Sequence, residues 1–446
     1  MLSRAFRRQR TVLLSRRLWL RRFVFFAGAL VVALLGVGFA LASDQASDLY
    51  SYWTTLLPTW ARFIITPLAY AICALAVLKL FPGAQGSGIP QAIAARRSDD
   101  ETHRTALLGG RVVVGKILLT LTALAAGASV GREGPTVQIG ASVMLFAAGF
   151  AGLGRQRGLV LAGAGAGIAA AFNTPLAGVL FAIEEMAKAF DKRITGFIIA
   201  AVAIAGLVTI MLVGDYDYFG RVSEHLTAPR QWLAVPLCAI VGGLFGGIFS
   251  RLVIGITLRQ IPLAARLKRR PLLFALGCGL IVAALAYATG DYAAGTGYAP
   301  TRALFEGGEA VPWWYPFAKL VTTLLSSVCG IAGGLFSPSL TVGAGFGAVL
   351  SPLLPDVPLQ IFALLGMVGY FAGVVQAPLT AFVIVIEMTD DSRMVVPVMV
   401  TALMAAGLSR LICADPIYHA LAAEFERKAP PRPAQDLSLD SRKVLP

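Results

Sequence analysis

Long apolar runs separated by short polar segments set the pattern of this chain. Phe23 to Ala42 is one such run of about 20 residues, the length of a helix that crosses a bilayer. Similar runs cover about 58–81, 112–130, 194–213, 232–258, 271–289 and 392–413. Two further apolar stretches, roughly 131–190 and 330–389, are punctuated by Gly and Pro, which predicts interrupted helices rather than plain cylinders. The expectation is an all-α polytopic membrane protein. Ala40-Leu41-Ala42 resembles a signal-peptidase site, but the preceding run is long for a signal peptide and more spans follow.

Composition agrees. Of 446 residues, 57% are hydrophobic and 14% charged, against about 25% charged in soluble domains. That excludes a soluble enzyme, a disordered chain and a secreted disulfide scaffold. The five cysteines are scattered through apolar runs without a CxxC, so neither a metal site nor a disulfide framework is expected. The net charge of +14 would suggest nucleic acid in a soluble domain, but its placement reads as topology. The N-terminus, Arg96–Arg111, Lys188–Arg193 and Arg259–Arg270 are basic. By contrast, 43–57 holds Asp44 and Asp48, 214–224 holds Asp215, Asp217 and Glu224, and 290–312 holds Asp291, Glu306 and Glu309. The positive-inside rule makes the basic set cytoplasmic. Both termini are then cytoplasmic, in a cell (inner) membrane, and the partner is a lipid bilayer and not nucleic acid.

The chain also matches itself without gaps at an offset of 203 residues. Lys116 falls on Lys319, Gly131 on Gly334, Pro135 on Pro338, Gly140 on Gly343, Gly163 on Gly366, Pro175 on Pro378 and Glu184 on Glu387. Three long runs lie between the matched regions, and an odd number of crossings inverts the second copy, as in transporters built from inverted repeats. The expected organisation is a basic segment 1–22, a first membrane repeat 23–213, an inverted second repeat 214–425 and a tail 426–446.

Four segments break the apolar runs with chemistry suited to an anion. Gly86-Ser87-Gly88-Ile89-Pro90 combines approachable backbone N–H groups with a hydroxyl. Gly131-Arg132-Glu133-Gly134-Pro135 places a carboxylate at a Pro-initiated helix start. Gly333-Gly334-Leu335-Phe336-Ser337-Pro338, its repeat mate, has bare amides, and Pro416-Ile417-Tyr418 offers a phenol. Helix N-termini bind anions without a full cationic side chain. Each residue has a plainer reading: Ser87 as an N-cap, Glu133 as a cap, Tyr418 as interfacial, Glu184 and Glu185 in a salt bridge with Lys188, and Lys116 and Lys319 as buried counter-charges or snorkelling side chains. Gly127-Ala128-Ser129-Val130-Gly131 fits G-x-S-x-G, but the histidines His103, His225 and His419 sit in hydrophilic loops or near the tail. The Gly242–Gly247 run reads as helix packing.

GSGIP at 86–90, GREGPTVQIG at 131–140, GGLFSP at 333–338 and Tyr418, in this order, resemble the signature elements of the CLC chloride channel and transporter family, over roughly 23–425. The resemblance implies a homodimer with one anion pathway per subunit, transporting chloride and protons without a cofactor. It implies that Ser87 and Tyr418 hold the central chloride through their hydroxyls, with the backbone amides of Leu335 and Phe336. Glu133 would be the external gating glutamate and Glu185 the internal proton-transfer glutamate. Serine rather than proline at 87 favours chloride over nitrate by the same analogy. Gln91-Ala92-Ile93 departs from the acids of close exchanger relatives, and the segment before Phe336 lacks the family's common proline. With 28 residues after Tyr418, the regulatory nucleotide-binding pair of larger members is not expected.

The expected function is proton-coupled chloride antiport, in which a carboxylate at Glu133 and a chloride compete for one position. Burial favours the neutral form of a carboxyl group and so suits proton acceptance. The alternatives are a passive chloride channel of the same family and, remotely, an intramembrane serine hydrolase.

Overall fold

The structure, a computed structural model, describes residues 16–427 apart from 151, 153–156, 189–191, 215–217, 221, 223 and 307–309. Residues 1–15, Asp215, Asp217, Glu309 and the expected tail from 428 lie outside the described residues.

The apolar runs become helices. Among the described residues seven are long and apolar enough to cross a membrane: Trp19–Leu56, Thr59–Lys79, Glu101–Ala125, Ile194–Val213, Pro229–Thr257, Pro271–Ala288 and Ser392–Ile412. The first belongs to a helix of 41 residues, Arg16–Leu56, about 60 Å long at 1.5 Å per residue and therefore longer than the hydrocarbon core is thick. The two punctuated stretches become shorter helices. Glu133–Phe150, Arg157–Phe172 and Pro175–Phe181 fill the first, and Phe336–Leu350, Leu359–Val375 and Pro378–Thr389 fill the second. The basic segment Arg96–Arg111, expected as a loop, is largely helical. Asp100 caps Glu101–Leu108 by accepting from the Thr102 amide at 2.9 Å, and the chain breaks at Gly109 before Gly110–Ala125. The apolar run to 130 outlasts its helix, since the residues after Ala125 form part of a break.

Residues paired by the 203 offset make paired contacts. Gly140 lies so close to Gly163 that a Cβ on either would strike the other's carbonyl, and Gly343 meets Gly366 in the same way. Asn173 and Gln376 both take left-handed backbone conformations, with φ of 59° and 57°, and each turns the chain into a helix begun by proline. The predicted helix packing of the Gly242–Gly247 run is observed, with Gly242 and Gly246 seated against Gly369 and Gly373.

The two Pro-initiated helices cap each other. Glu184 accepts from the Leu379 and Thr380 amides at 3.1 and 2.6 Å, and from the Thr380 hydroxyl at 2.7 Å. Glu387 accepts from the Leu176 and Ala177 amides at 2.9 and 2.7 Å. Each carboxylate thus satisfies N–H groups that helix geometry leaves without an acceptor, at the positive end of a helix dipole. Glu184 is accordingly a cap for the other half. Replacing either Glu184 or Glu387 by Ala removes charged hydrogen bonds and is expected to cost about 1.5–3 kcal/mol. Unfolding of the purified protein in detergent measures this, and an unchanged midpoint would refute the capping role.

Candidate functional site

Three helix breaks meet and are sewn together through their backbones. Gly86 donates to the Ile331 carbonyl at 2.8 Å and accepts from the Gly333 amide at 3.0 Å. Gly131 and Gly334 exchange two bonds, each of 2.7 Å. Non-helical backbone at membrane depth must find such partners, because no water is available to it in hydrocarbon. Side chains complete the set. Lys116 donates to the Gly86 and Gln85 carbonyls at 2.8 and 3.3 Å, and Gln91 to the Gln85 and Gly83 carbonyls at 2.6 and 3.1 Å. Lys319 likewise reaches the Gly295 and Ala294 carbonyls at 2.5 and 2.8 Å. Both lysines are fully buried, so neither snorkels; each holds an irregular turn.

This seam sets the starts of Glu133–Phe150 and Phe336–Leu350 beside one another. The fully buried Glu133 carboxylate accepts a short hydrogen bond from the Ser337 hydroxyl and lies 3.5 Å from the Ser337 amide. Glu133, although in the first turn of its own helix, therefore sits at the N-terminus of the other. Ser87 packs against the next residue, and a Cβ on Gly134 would collide with its hydroxyl. Ser87 is not an N-cap, since that position belongs to Gly88 at φ 96° with no side-chain bond. Tyr418 is fully buried with its ring 5.9 Å from that of Phe336, which removes it from any interfacial belt. Among the described residues, the buried hydroxyls of Ser87 and Tyr418 lie near each other and bond to no other protein group. Buried polar groups in native proteins are almost always paired. Two such donors beside the first-turn amides of Leu335 and Phe336 form a set that suits an anion. Ser87, Leu335, Phe336, Tyr418 and Glu133 thus lie at one place in the fold.

Glu185 lies apart from this group, in a π-helical turn, Ala182–Ala187. Such turns shift the side-chain register by one residue and recur at functional positions. Glu184 and Glu185 are thereby directed to different partners. The Glu185 carboxylate is buried, with its Oε1 3.6 Å from His419 Nε2. Arg96 donates to the Met186 carbonyl at 3.0 Å and steadies the turn. A cavity of about 230 Å³ reaches Ser87, Gly333 and Leu335 past Arg259, Lys268 and Glu424. A second, of about 160 Å³, is lined by Asp44, Arg132 and Tyr218. Asp44, expected in a polar loop between spans, lies within the helix Arg16–Leu56, whereas Arg259 follows the helix Ala234–Thr257.

Several residues of the site carry no mark of their role in the sequence. Ser337 lay inside a named segment but nothing marked it as the partner of Glu133. Arg132 bonds Asp44 and the Ala40 carbonyl, each at 2.6 Å, with its guanidinium 5.6 Å from the centre of the Tyr218 ring. The G-x-S-x-G serine is spent on packing, as Ser129 bonds Thr323 at 2.9 Å. His103 is engaged by the Phe425 carbonyl, and His419 by Glu185 and Arg97.

The sequence model of the voltage gated chloride channel family matches residues 69–410. The chain belongs to this family. It is similar to the H(+)/Cl(-) exchange transporter ClcA of Vibrio vulnificus, with 30% identity over 423 residues covering 89% of each protein. The counterpart in Vibrio campbellii is 29% identical over 428 residues, covering 89% of this chain and 88% of that protein. Among solved structures, a slow cyanobacterial Cl-/H+ antiporter superposes with a TM-score of 0.77 at 25% identity, over 93% of this chain and 99% of that one. A eukaryotic CLC transporter shares the fold with a TM-score of 0.72 at 22% identity, over 92% and 75%.

The close approach of Gly134 to Ser87 gives a test within this CLC site. Gly134→Ala displaces the Ser87 hydroxyl together with its carbonyl, and chloride binding by isothermal titration is expected to weaken about tenfold or more. Gly149→Ala, where an added Cβ meets nothing within 4 Å, is expected to leave binding unchanged. Equal affinity in the two variants would remove Ser87 from the site.

Proposed function

We propose that the chain is a proton-coupled chloride antiporter of the inner membrane. The observation that carries this reading is the place of the Glu133 carboxylate. It lies buried at the N-terminus of the facing helix, bonded to Ser337, where a chloride would gain the same dipole and donors. Carboxylate and chloride then compete for one position. Protonation of Glu133 neutralises the competitor and favours the ion. In this reading Ser87 and Tyr418 hold the central chloride with their hydroxyls and Leu335 and Phe336 with their amides. Glu133 is the external gate and Glu185 passes protons to and from the basic side. The names of the Vibrio and cyanobacterial relatives, which are proton and chloride exchangers, support the same reaction.

The wider proposal has membrane repeats 23–213 and 214–425, the second inverted, in a homodimer with cytoplasmic termini. The paired contacts of residues 203 apart support the repeat. The sign of the loops supports the orientation.

Proteoliposomes with a chloride gradient and a pH electrode test the function. Chloride flow is expected to drive protons uphill in the opposite direction. A passive channel, the second reading, moves chloride with no proton movement. Glu133→Gln is expected to keep chloride flux but lose its pH dependence and all coupled proton flux. Glu185→Gln is expected to pass chloride while proton transport disappears. Coupled proton flux persisting in either variant would strike out the role given to that residue. The remote serine-hydrolase reading requires labelling by a fluorophosphonate probe at Ser129, and none is expected.

A further inference from the structure

Glu185 is buried, and a proton must reach it from water. The residue that follows Tyr418 stands on that route. His419 Nε2 lies 2.8 Å from the Glu185 carbonyl and 3.6 Å from its carboxylate Oε1. Its other ring nitrogen, Nδ1, lies 2.6 Å from an Arg97 amino group. Guanidinium only donates, so Nδ1 accepts, the ring is neutral, and the ring proton sits on Nε2, facing Glu185. Arg97 in turn donates from its other amino group to Glu426 at 2.8 Å. Side-chain exposure falls along this chain of groups, from 40% at Arg97 and 35% at Glu426 to 9% at His419 and 4% at Glu185. The sequence runs from solvent to the buried acid without a gap longer than 3.6 Å.

We propose that His419 hands protons from the basic-loop side to Glu185, and that Arg97 holds its ring in the tautomer that can do so. The proposal rests on the reading of Glu185 as the internal proton acceptor. In the step, Arg97 turns onto Glu426 and a proton from water binds Nδ1, giving an imidazolium. The Nε2–H bond then breaks as Glu185 Oε1 gains the hydrogen, leaving a neutral carboxylic acid and a neutral ring protonated on Nδ1. Loss of that proton to water and uptake of another at Nε2 restore the starting tautomer. The groups facing the ring are Glu185 and Lys188 from the turn after Pro175–Phe181, Arg96 and Arg97 from Ile89–Arg97, and Glu426 from its own helix. Burial first, and then Lys188, Arg97 and Arg96, resist a standing charge on the ring, which makes the imidazolium a transient carrier.

The test measures coupled proton flux and chloride flux in proteoliposomes from pH 5 to 8. His419→Gln keeps a donor for the Glu185 carbonyl but cannot relay a proton. Its chloride flux is expected to persist, which reports a folded protein, while proton flux falls about tenfold or more near pH 8 and less at pH 5. In His419→Ala, imidazole added on the basic-loop side is expected to restore proton flux, a response that a merely structural role would not give. Arg97→Gln releases the tautomer held at Nδ1 and is expected to lower proton flux, by less than His419→Gln, while chloride flux persists. Equal proton flux in His419→Gln and the unsubstituted protein at every pH overturns the relay, and so does a slow His419→Ala that imidazole fails to rescue. Glu185→Gln, run in parallel, separates the two claims. If it loses coupling while His419→Gln does not, only the relay falls; if it stays coupled, the Glu185 reading falls with it.

Discussion

Backbone polar groups that leave a helix inside a bilayer have to be paired by the protein, and this requirement organises the structure. The breaks at Gly86, Gly131 and Gly330–Gly334 would each leave amides and carbonyls stranded in hydrocarbon. They solve this together, by bonding to one another and to Lys116, so the breaks are forced to one place. The amides left over are those at helix starts, which point inward and have no helical acceptor. A centre whose free donors suit an anion follows from the accounting of hydrogen bonds, with no net cationic side chain in the central set.

The two halves share backbone geometry but differ in what they place upon it. Glu133 in the first corresponds at the 203 offset to Phe336 in the second, so one helix start brings a carboxylate and the other a bare amide with an aromatic wall. Glu185 corresponds to Met388, a buried apolar side chain. The first half therefore carries both acids. Glu184 and Glu387, by contrast, keep the same job in both halves. Matching residues sustain the frame, and the unmatched ones include the two acids to which the proposal gives the proton chemistry.

The sequence disclosed what depends on local chemistry. Span lengths, Gly and Pro breaks, the offset of 203 and the segments that meet at the helix breaks can all be read along the chain. What escaped depends on distance across the fold. Ser337 is an ordinary helix-start serine until Glu133, 204 residues earlier, is brought against it. His419 looked like a tail residue because its neighbours Arg97 and Glu185 are far away in sequence. The π-turn left no mark either, since Glu184-Glu185-Met186 reads like the end of any amphipathic helix. The charge of Arg96–Arg111 reads as a loop and hides the helix that buries Leu107 and Leu108.

The reciprocal caps carry a consequence for how the chain is made. Leu176 receives its acceptor from Glu387, 211 residues downstream. A ribosome adding roughly 5–20 residues per second needs about ten to forty seconds to supply it. Through that interval the newly inserted first half holds open helix starts that its own residues do not close. It must wait, shielded by the insertion machinery or by lipid headgroups, until its second half emerges. The same carboxylates that fasten the finished transporter thus make assembly an event of the whole chain, and place a half-synthesised molecule among the natural targets of membrane quality control.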